Sequence, residues 1–194
     1  SMNFRSVVKA AAAHNGLYAD FSPKPIKGES GNGMHINMSV NAADGGDKTD
    51  FFMSGILKHI KEITAFLNPC VDSYKRLGEK KAPKYITWSP ENRSQLIRIP
   101  AARGKFKRIE LRSPDPMANP YIAYALLIYA GLDGIENRLA LPEPTNLNLY
   151  TASSEVTDKL DRLPETLTEA IDEACRSPFV AEVLPDGFAQ LLKI

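Results

Sequence analysis

Two segments alternate strictly between polar and apolar residues, and they constrain the fold more than any other feature. In MHINMSV, residues 34–40, His35, Asn37 and Ser39 share one side of a strand while Ile36, Met38 and Val40 share the other. In RIELR, residues 108–112, Arg108, Glu110 and Arg112 oppose Ile109 and Leu111. Strands of this kind bury one face only, so they need a sheet covered on one side and polar on the other. Further strands are expected at Tyr85–Trp88 and Gln95–Ile99, and a short one at Leu17–Phe21.

Helical spacing marks most of the remaining chain. Asn3–His14 reads as a helix closed by Asn15-Gly16, and Phe52–Leu67 as one closed by Asn68-Pro69. Asn119 is placed to cap a helix that opens on Pro120 and runs to about Arg138. Pro142 and Pro144 mark a linker, beyond which Pro164–Cys175, Ser177–Val183 and the tail from Phe188 read as helical. Gly28–Gly33 is a loop, Asn41–Asp50 a polar turn, and Asp72–Pro83 an irregular basic stretch. Strands come first and helices mostly segregate, without regular βαβ alternation. The expected class is α+β, with an antiparallel sheet and helices packed on one face.

Charge singles out the polar face. The segment NRSQLIRIPAARGKFKRIELR, residues 92–112, holds seven basic residues (Arg93, Arg98, Arg103, Lys105, Lys107, Arg108 and Arg112) against Glu110 alone. The whole chain has 24 basic and 23 acidic residues, so the remainder carries 17 against 22. Positive charge concentrated on alternating strand positions points to an anion held there, since guanidinium forks match carboxylate and phosphate oxygens and stay charged when partly buried. The alternative is a solvated basic face with surface ion pairs. Glu110 suits either an ion-pair partner or an oxygen ligand for Mg²⁺ or Mn²⁺.

His35 follows a glycine-rich loop and shares a face with Asn37 and Ser39, which suit a nucleotide or phosphate; a structural hydrogen-bond donor is the other reading. GESGNG lacks the lysine of a P-loop and leads into a strand, so its glycines serve close backbone approach to a small substrate. Residues 74–81 read equally as a mobile basic flap or a solvated loop. His14 and His59 read as surface residues of helices.

Bulk properties exclude several classes. A chain of 194 residues, 43% hydrophobic and 24% charged, can bury a core as one domain. A net charge of +1 argues against a dedicated nucleic-acid or membrane-surface protein. The most apolar run, Ile122–Leu132, is too short to span a bilayer. No secretory signal is legible, and Cys70 and Cys175 lack any CxxC spacing, which suits a cytoplasmic location.

GNGMHINMS resembles the glutamine synthetase signature GSGMHxHxS. SYKRL, ENRSQLIRIP and KRIELRSPDPMANPYIAYALLIYAGLDGI resemble, in the same order, catalytic-domain blocks of the bacterial type I enzyme, so that the likeness runs from about Phe21 to Tyr150. The resemblance implies a glutamine synthetase/guanido kinase-type catalytic domain and a reaction joining glutamate and ammonia at the expense of ATP, through γ-glutamyl phosphate. It implies ATP and Mg²⁺ or Mn²⁺ as cofactors, a homo-oligomer of stacked hexameric rings, and neither nucleic acid nor membrane as partner. By position, it implies that His35 and Glu110 bind metal and that Gly31, Arg76 and Arg112 contact glutamate. Ser39, Arg93, Arg98, Lys105 and Arg108 would face ATP or phosphate, with Arg98 and Arg112 in the catalytic role. Tyr150 in NLNLY matches a tyrosine that some members adenylylate, although the TASSE that follows it differs.

Departures from the pattern bear on activity. The flap reads GEKKAP, which puts Lys81 where the family has an ammonium-binding, proton-accepting glutamate; Glu79 lies two residues earlier. A charged lysine accepts no proton and repels ammonium. Asn37 replaces the second signature histidine, and Ser30 an asparagine. The family's N-terminal β-grasp domain and early catalytic strands, with their metal-binding glutamates, would precede Ser1. Residues 1–194 are therefore expected to form the C-terminal portion of the catalytic domain and to be inactive alone. The resemblance leaves two alternatives open: a γ-glutamyl ligase for another amine, and a non-catalytic relative that binds nucleotide or glutamate.

Overall fold

The computed structural model describes residues 2–101 and 107–193, the side chain of Lys193 excepted. Helix α1 (Met2–His14) precedes strand β1 (Ile36–Met38), helices α2 (Thr49–Leu67) and α3 (Val71–Arg76), and strands β2 (Trp88–Pro90), β3 (Ile97–Ile99) and β4 (Ile109–Leu111). Helices α4 (Pro120–Glu136), α5 (Ser154–Thr157), α6 (Leu167–Arg176) and α7 (Pro178–Val183) follow, and the 3₁₀ helix Ala189–Lys193 ends the chain. The class is α+β, as the sequence predicts.

Helix α2 is the axis of the core. Met53, Ile56, Ile60 and Ile63 are fully buried and meet Leu126 and Leu127 of α4 and the apolar strand residues Ile36, Ile97, Ile109 and Leu111 in one cluster. Backbone contact brings α2 and α4 together: a Cβ on Gly55 would lie 2.0 Å from the Ala130 carbonyl, and one on Gly134 2.0 Å from that of Phe51. These helices cross closely only because both positions are glycine. Asn119 caps α4 as expected, its side chain accepting from the Tyr121 N–H.

The sheet has the order β1-β4-β3-β2. Its register aligns Asn37 with Glu110, Glu110 with Arg98, and Arg98 with Ser89, a single row across the polar face. Pairs β1–β4 and β4–β3 are antiparallel, but β3–β2 is parallel, so the sheet is mixed rather than wholly antiparallel. A three-residue strand is only about 10 Å long. The six residues 91–96, turned at Glu91 (φ +65°), are enough to bring the chain back to the same end.

Other differences are local. Residues 17–21 form no strand; Leu17 and Tyr18 are exposed, and alternation without an edge to pair with makes no ladder. The stretch expected to be irregular begins as α3, whose Ser73 hydroxyl accepts from the Cys70 N–H. The short α5, a single turn at Ser154–Thr157, is not expected from helical spacing. His59 is buried, not a surface residue, because Asp133 of α4 and Glu62 close over it.

Candidate active site

Residues from four stretches meet in a cavity of about 550 Å³. The 30–35 loop supplies Gly31, Gly33 and His35; α3 and the flap after it supply Arg76, Glu79, Lys81 and Ala82; the β2–β3 turn and the strands supply Arg93, Arg98, Glu110 and Arg112; and Tyr150 closes one wall. Five cationic side chains thus face two carboxylates. Seven of the residues singled out by sequence come together here: Gly31, His35, Arg76, Arg93, Arg98, Glu110 and Arg112.

Glu110 is the centre. Its Oε2 accepts from Arg98 Nε at 2.9 Å and from Arg112 Nη1 at 3.1 Å, while Oε1 lies 3.3 Å from His35 Nδ1. Burial works against its ionisation, but the Arg112 hydrogen bond and the charges of Arg98, Arg112 and His35 outweigh it and hold the carboxyl below its usual range. For His35, burial and then the Arg112 charge push the imidazole downward, with Glu110 only partly compensating. The imidazole is therefore neutral at pH 7 and keeps a lone pair to offer.

That pairing fits part of a divalent-cation site. A neutral imidazole and an ionised carboxylate side by side are suitable donors, yet Mg²⁺ takes about six ligands. Among the described residues no group of three or more His, Cys, Asp or Glu side chains is placed to hold a metal ion. His35 and Glu110 would contribute two positions, and the others must come from elsewhere.

Arg76 enters the cavity from behind. It is 3% exposed, donates from Nη1 to the Ser113 carbonyl at 2.7 Å and from Nη2 to the Arg112 carbonyl at 3.3 Å. Burial, followed by the Arg112 charge, pushes its pKa down to about 10 despite the opposing field of Asp115. The glycine loop makes room for it. A Cβ on Gly31 would sit 2.3 Å from the Pro23 carbonyl and 2.9 Å from Arg76 Cγ; one on Gly33 would sit 2.6 Å from Arg76 Nη2.

The flap is tied on both sides. Arg112 Nη2 donates to the Lys81 carbonyl at 3.3 Å. Lys24 holds the Glu79 carboxylate at 2.6 Å, and Lys80 lies 3.6 Å from Glu29. Lys81 is thus held in the cavity lining, while the nearby flap acid is already engaged.

The remaining sequence candidates lie elsewhere. Arg108 Nε donates to Asn37 Oδ1 at 3.1 Å at the exposed edge of the sheet, outside the cavity lining. Ser39 lines a second, more apolar cleft with Phe52, Ile128 and Leu132, because β1 ends at Met38 and strand alternation does not extend past it. Lys105, with Arg103, lies outside the described residues. Tyr150 is a lining residue that charge and period did not reveal; its hydroxyl donates to the Arg93 carbonyl at 3.2 Å.

Comparison with known proteins places this geometry. Residues 1–191 match the family described as glutamine synthetase, catalytic domain. Glutamine synthetase of Methanosarcina mazei is 47% identical over 199 aligned residues, covering 94% of this chain and 44% of that protein. The Thermotoga maritima enzyme is 44% identical, covering 92% and 44%. Among solved structures, a GmaS/ADP complex superposes with a TM-score of 0.86 at 33% identity, over 98% of this chain and 48% of that one. Apo GmaS gives 0.83. The chain spans less than half the length of these relatives. On the match of its whole length and on the assembled arginine–glutamate–histidine cavity, this chain belongs to the glutamine synthetase family, in the part that carries the catalytic domain.

Proposed function

We propose that the chain is the C-terminal portion of the catalytic domain of an ATP-dependent glutamate–ammonia ligase. The observation that carries this reading is the Glu110 carboxylate, gripped by Arg98 and Arg112 beside His35, in a cavity with surplus positive charge. In the parent, a glutamate side-chain carboxylate attacks the γ-phosphorus of ATP and ADP leaves. Ammonia then attacks the acyl carbon, phosphate departs and the nitrogen loses a proton. Arg76 and Arg112 hold the glutamate; Arg93, Arg98 and Arg112 face the phosphates and stabilise charge as it develops. Arg108, with Asn37 as its partner at the exposed edge of the sheet, belongs to the outer part of the same phosphate side, whereas Ser39 opens on the second cleft. Lys105 keeps only the phosphate role that its motif position implies.

His35 and Glu110 would contribute to binding Mg²⁺ or Mn²⁺, which would supply charge neutralisation on the phosphates. ADP is bound by GmaS, whose fold this chain shares, and that supports a nucleotide here. Two free cysteines accord with a cytoplasmic location, and no helix among the described residues is long and apolar enough to cross a membrane. The parent would assemble as a ring-forming homo-oligomer.

The isolated chain is inactive on this reading, because two metal ligands do not hold the ions the reaction needs. Phosphate release and glutamine formation from ATP, glutamate and ammonium test it, run on the chain alone and on the family-length parent. Activity in the parent only is expected; glutamine made by the isolated chain would overturn the inactivity, and an inactive parent the ligase assignment.

Lys81 favours a second reading, since it brings an ammonium into the cavity where ammonium would have to bind. The parent would then use a larger amine, or bind ligands without turnover. An amine screen on the parent separates these. Activity confined to ammonia removes the first, and Lys81→Glu that creates synthetase activity from none supports the second.

A further inference from the structure

Asp115 is wholly buried, yet it makes no ion pair among the described residues. A carboxylate in that position is costly unless its charge is compensated. Its partners are neutral: Oδ1 accepts from the Met117 N–H at 2.9 Å and Oδ2 from Asn68 Nδ2 at 3.1 Å. Asn68, also fully buried, donates through the same nitrogen to the Ser113 carbonyl at 2.8 Å. That carbonyl is the one that receives Arg76 Nη1. A continuous chain therefore runs from Asp115 through Asn68 and the Ser113 carbonyl to the guanidinium in the cavity wall.

Arg76 has the complementary problem. Its guanidinium is buried, its two hydrogen-bond acceptors are neutral carbonyls, and Arg112 beside it repels. The field of Asp115 favours the charged guanidinium, more strongly than that of Tyr150. Each buried charge answers the other at a distance, across a carbonyl dipole that points at the arginine.

We propose that Asp115, acting with Asn68 through the Ser113 carbonyl, is a positioning residue that holds Arg76 charged and oriented toward an anionic group of the ligand. Distance is part of the design. A carboxylate in direct contact would occupy the guanidinium fork, whereas one held behind a carbonyl leaves donors free for a ligand carboxylate.

The proposal rests on the cavity being a ligand site, and the experiment separates the two. In the 194-residue chain, the Arg76 guanidinium is followed by ¹⁵N/¹³C NMR without ligand, and L-glutamate affinity is titrated. Asp115→Asn removes the charge and sets an amide nitrogen against Asn68 Nδ2, so Asn68 must turn and release the carbonyl. Expected are faster exchange of the Arg76 Nη protons and glutamate affinity about tenfold weaker. Asn68→Ser, which keeps the carboxylate, should move both in the same direction by less, and stands in should Asp115→Asn fail to fold.

Arg76→Gln should weaken glutamate, and adding either second substitution to it should cost nothing further. An unchanged Arg76 spectrum in both variants, or additive losses in the double variants, would overturn the positioning role. Glutamate binding unaffected by Arg76→Gln, or absent from the wild-type chain, would instead count against the cavity reading, and the spectrum alone would then decide the role of Asp115.

Discussion

Glu110 and His59 each sit at the centre of a knot of opposite charges, and the two knots differ in what they leave unspent. His59 Nε2 lies 2.9 Å from Asp133 and Nδ1 3.2 Å from Glu62; Lys58 also reaches Asp133 at 2.9 Å, and the Ser177 hydroxyl bonds to Glu62. The ring stacks on Phe179 at 4.0 Å. Both ring nitrogens are used and the anions are matched, so the knot ties α2 to α4 and α7. Around Glu110 the cations outnumber the carboxylate, Arg112 Nε is buried without a hydrogen-bond partner among the described residues, and the group opens on a cavity. Satisfied polar groups are architecture, and unspent donors facing a void are a site.

The comparison breaks most readily at Glu110. Glu110→Gln leaves two arginines without their anion, at a cost of about 3 kcal/mol in chemical denaturation. Added phosphate should restore part of that loss by taking the place of the carboxylate, and should restore none of the loss in His59→Gln. Equal phosphate responses would erase the distinction.

Gly31→Ala probes the wall of the same knot. The new Cβ meets a backbone carbonyl that cannot swing aside, so a cost of about 2 kcal/mol is expected together with displacement of Arg76, seen as altered arginine NMR signals. A neutral substitution would show that the loop gives way.

The His59 knot should reveal itself in pH dependence. Burial opposes protonation, but the Glu62 and Asp133 contacts outweigh it and raise the imidazole above its ordinary 6.5. Its contribution is then full below pH 6.5 and fades as pH rises through the higher folded value. Glu62 and Asp133 are held below their ordinary 4.5 and 3.8, so their contribution fades as acid protonates them. Thermal melts should show this knot at its strongest between those limits. His59→Gln, worth about 1 kcal/mol at pH 6, should flatten the alkaline side. The smallest effect belongs to Ser39→Ala, within about 0.5 kcal/mol in stability and without influence on phosphate binding in the main cavity.

The Asn37, Glu110 and Arg98 part of the polar row is legible from alternation, because inside a strand side chains must take opposite faces; Ser89 is not, since the strand expected at Tyr85–Trp88 forms at Trp88–Pro90. Ile36, Asn37, Ile109, Glu110 and Leu111 lie as that rule requires. Ser39 shows where the rule stops: one residue past the last ladder bond, nothing fixes the face. His59 departs from its expected surface position for a related reason, since helical spacing gives a residue's direction on its own helix and not the Asp133 that α4 brings over it. Tyr150 reaches the cavity from a segment 38 residues beyond Arg112 in sequence; the NLNLY motif marks the residue, but neither charge nor period places it in this wall.

The sequence by itself determined the α+β class, the helix caps, the strand faces and the family, because each rests on neighbours within a few residues or on motif order. Only the tertiary structure decided that β2 and β3 run parallel, that Gly31 and Gly33 exist to let Arg76 through, and that Asp115 stands behind that arginine. Those facts depend on which distant segments approach within a few ångströms, and such contacts arise only when the apolar face of α2 has gathered the sheet and α4 around it.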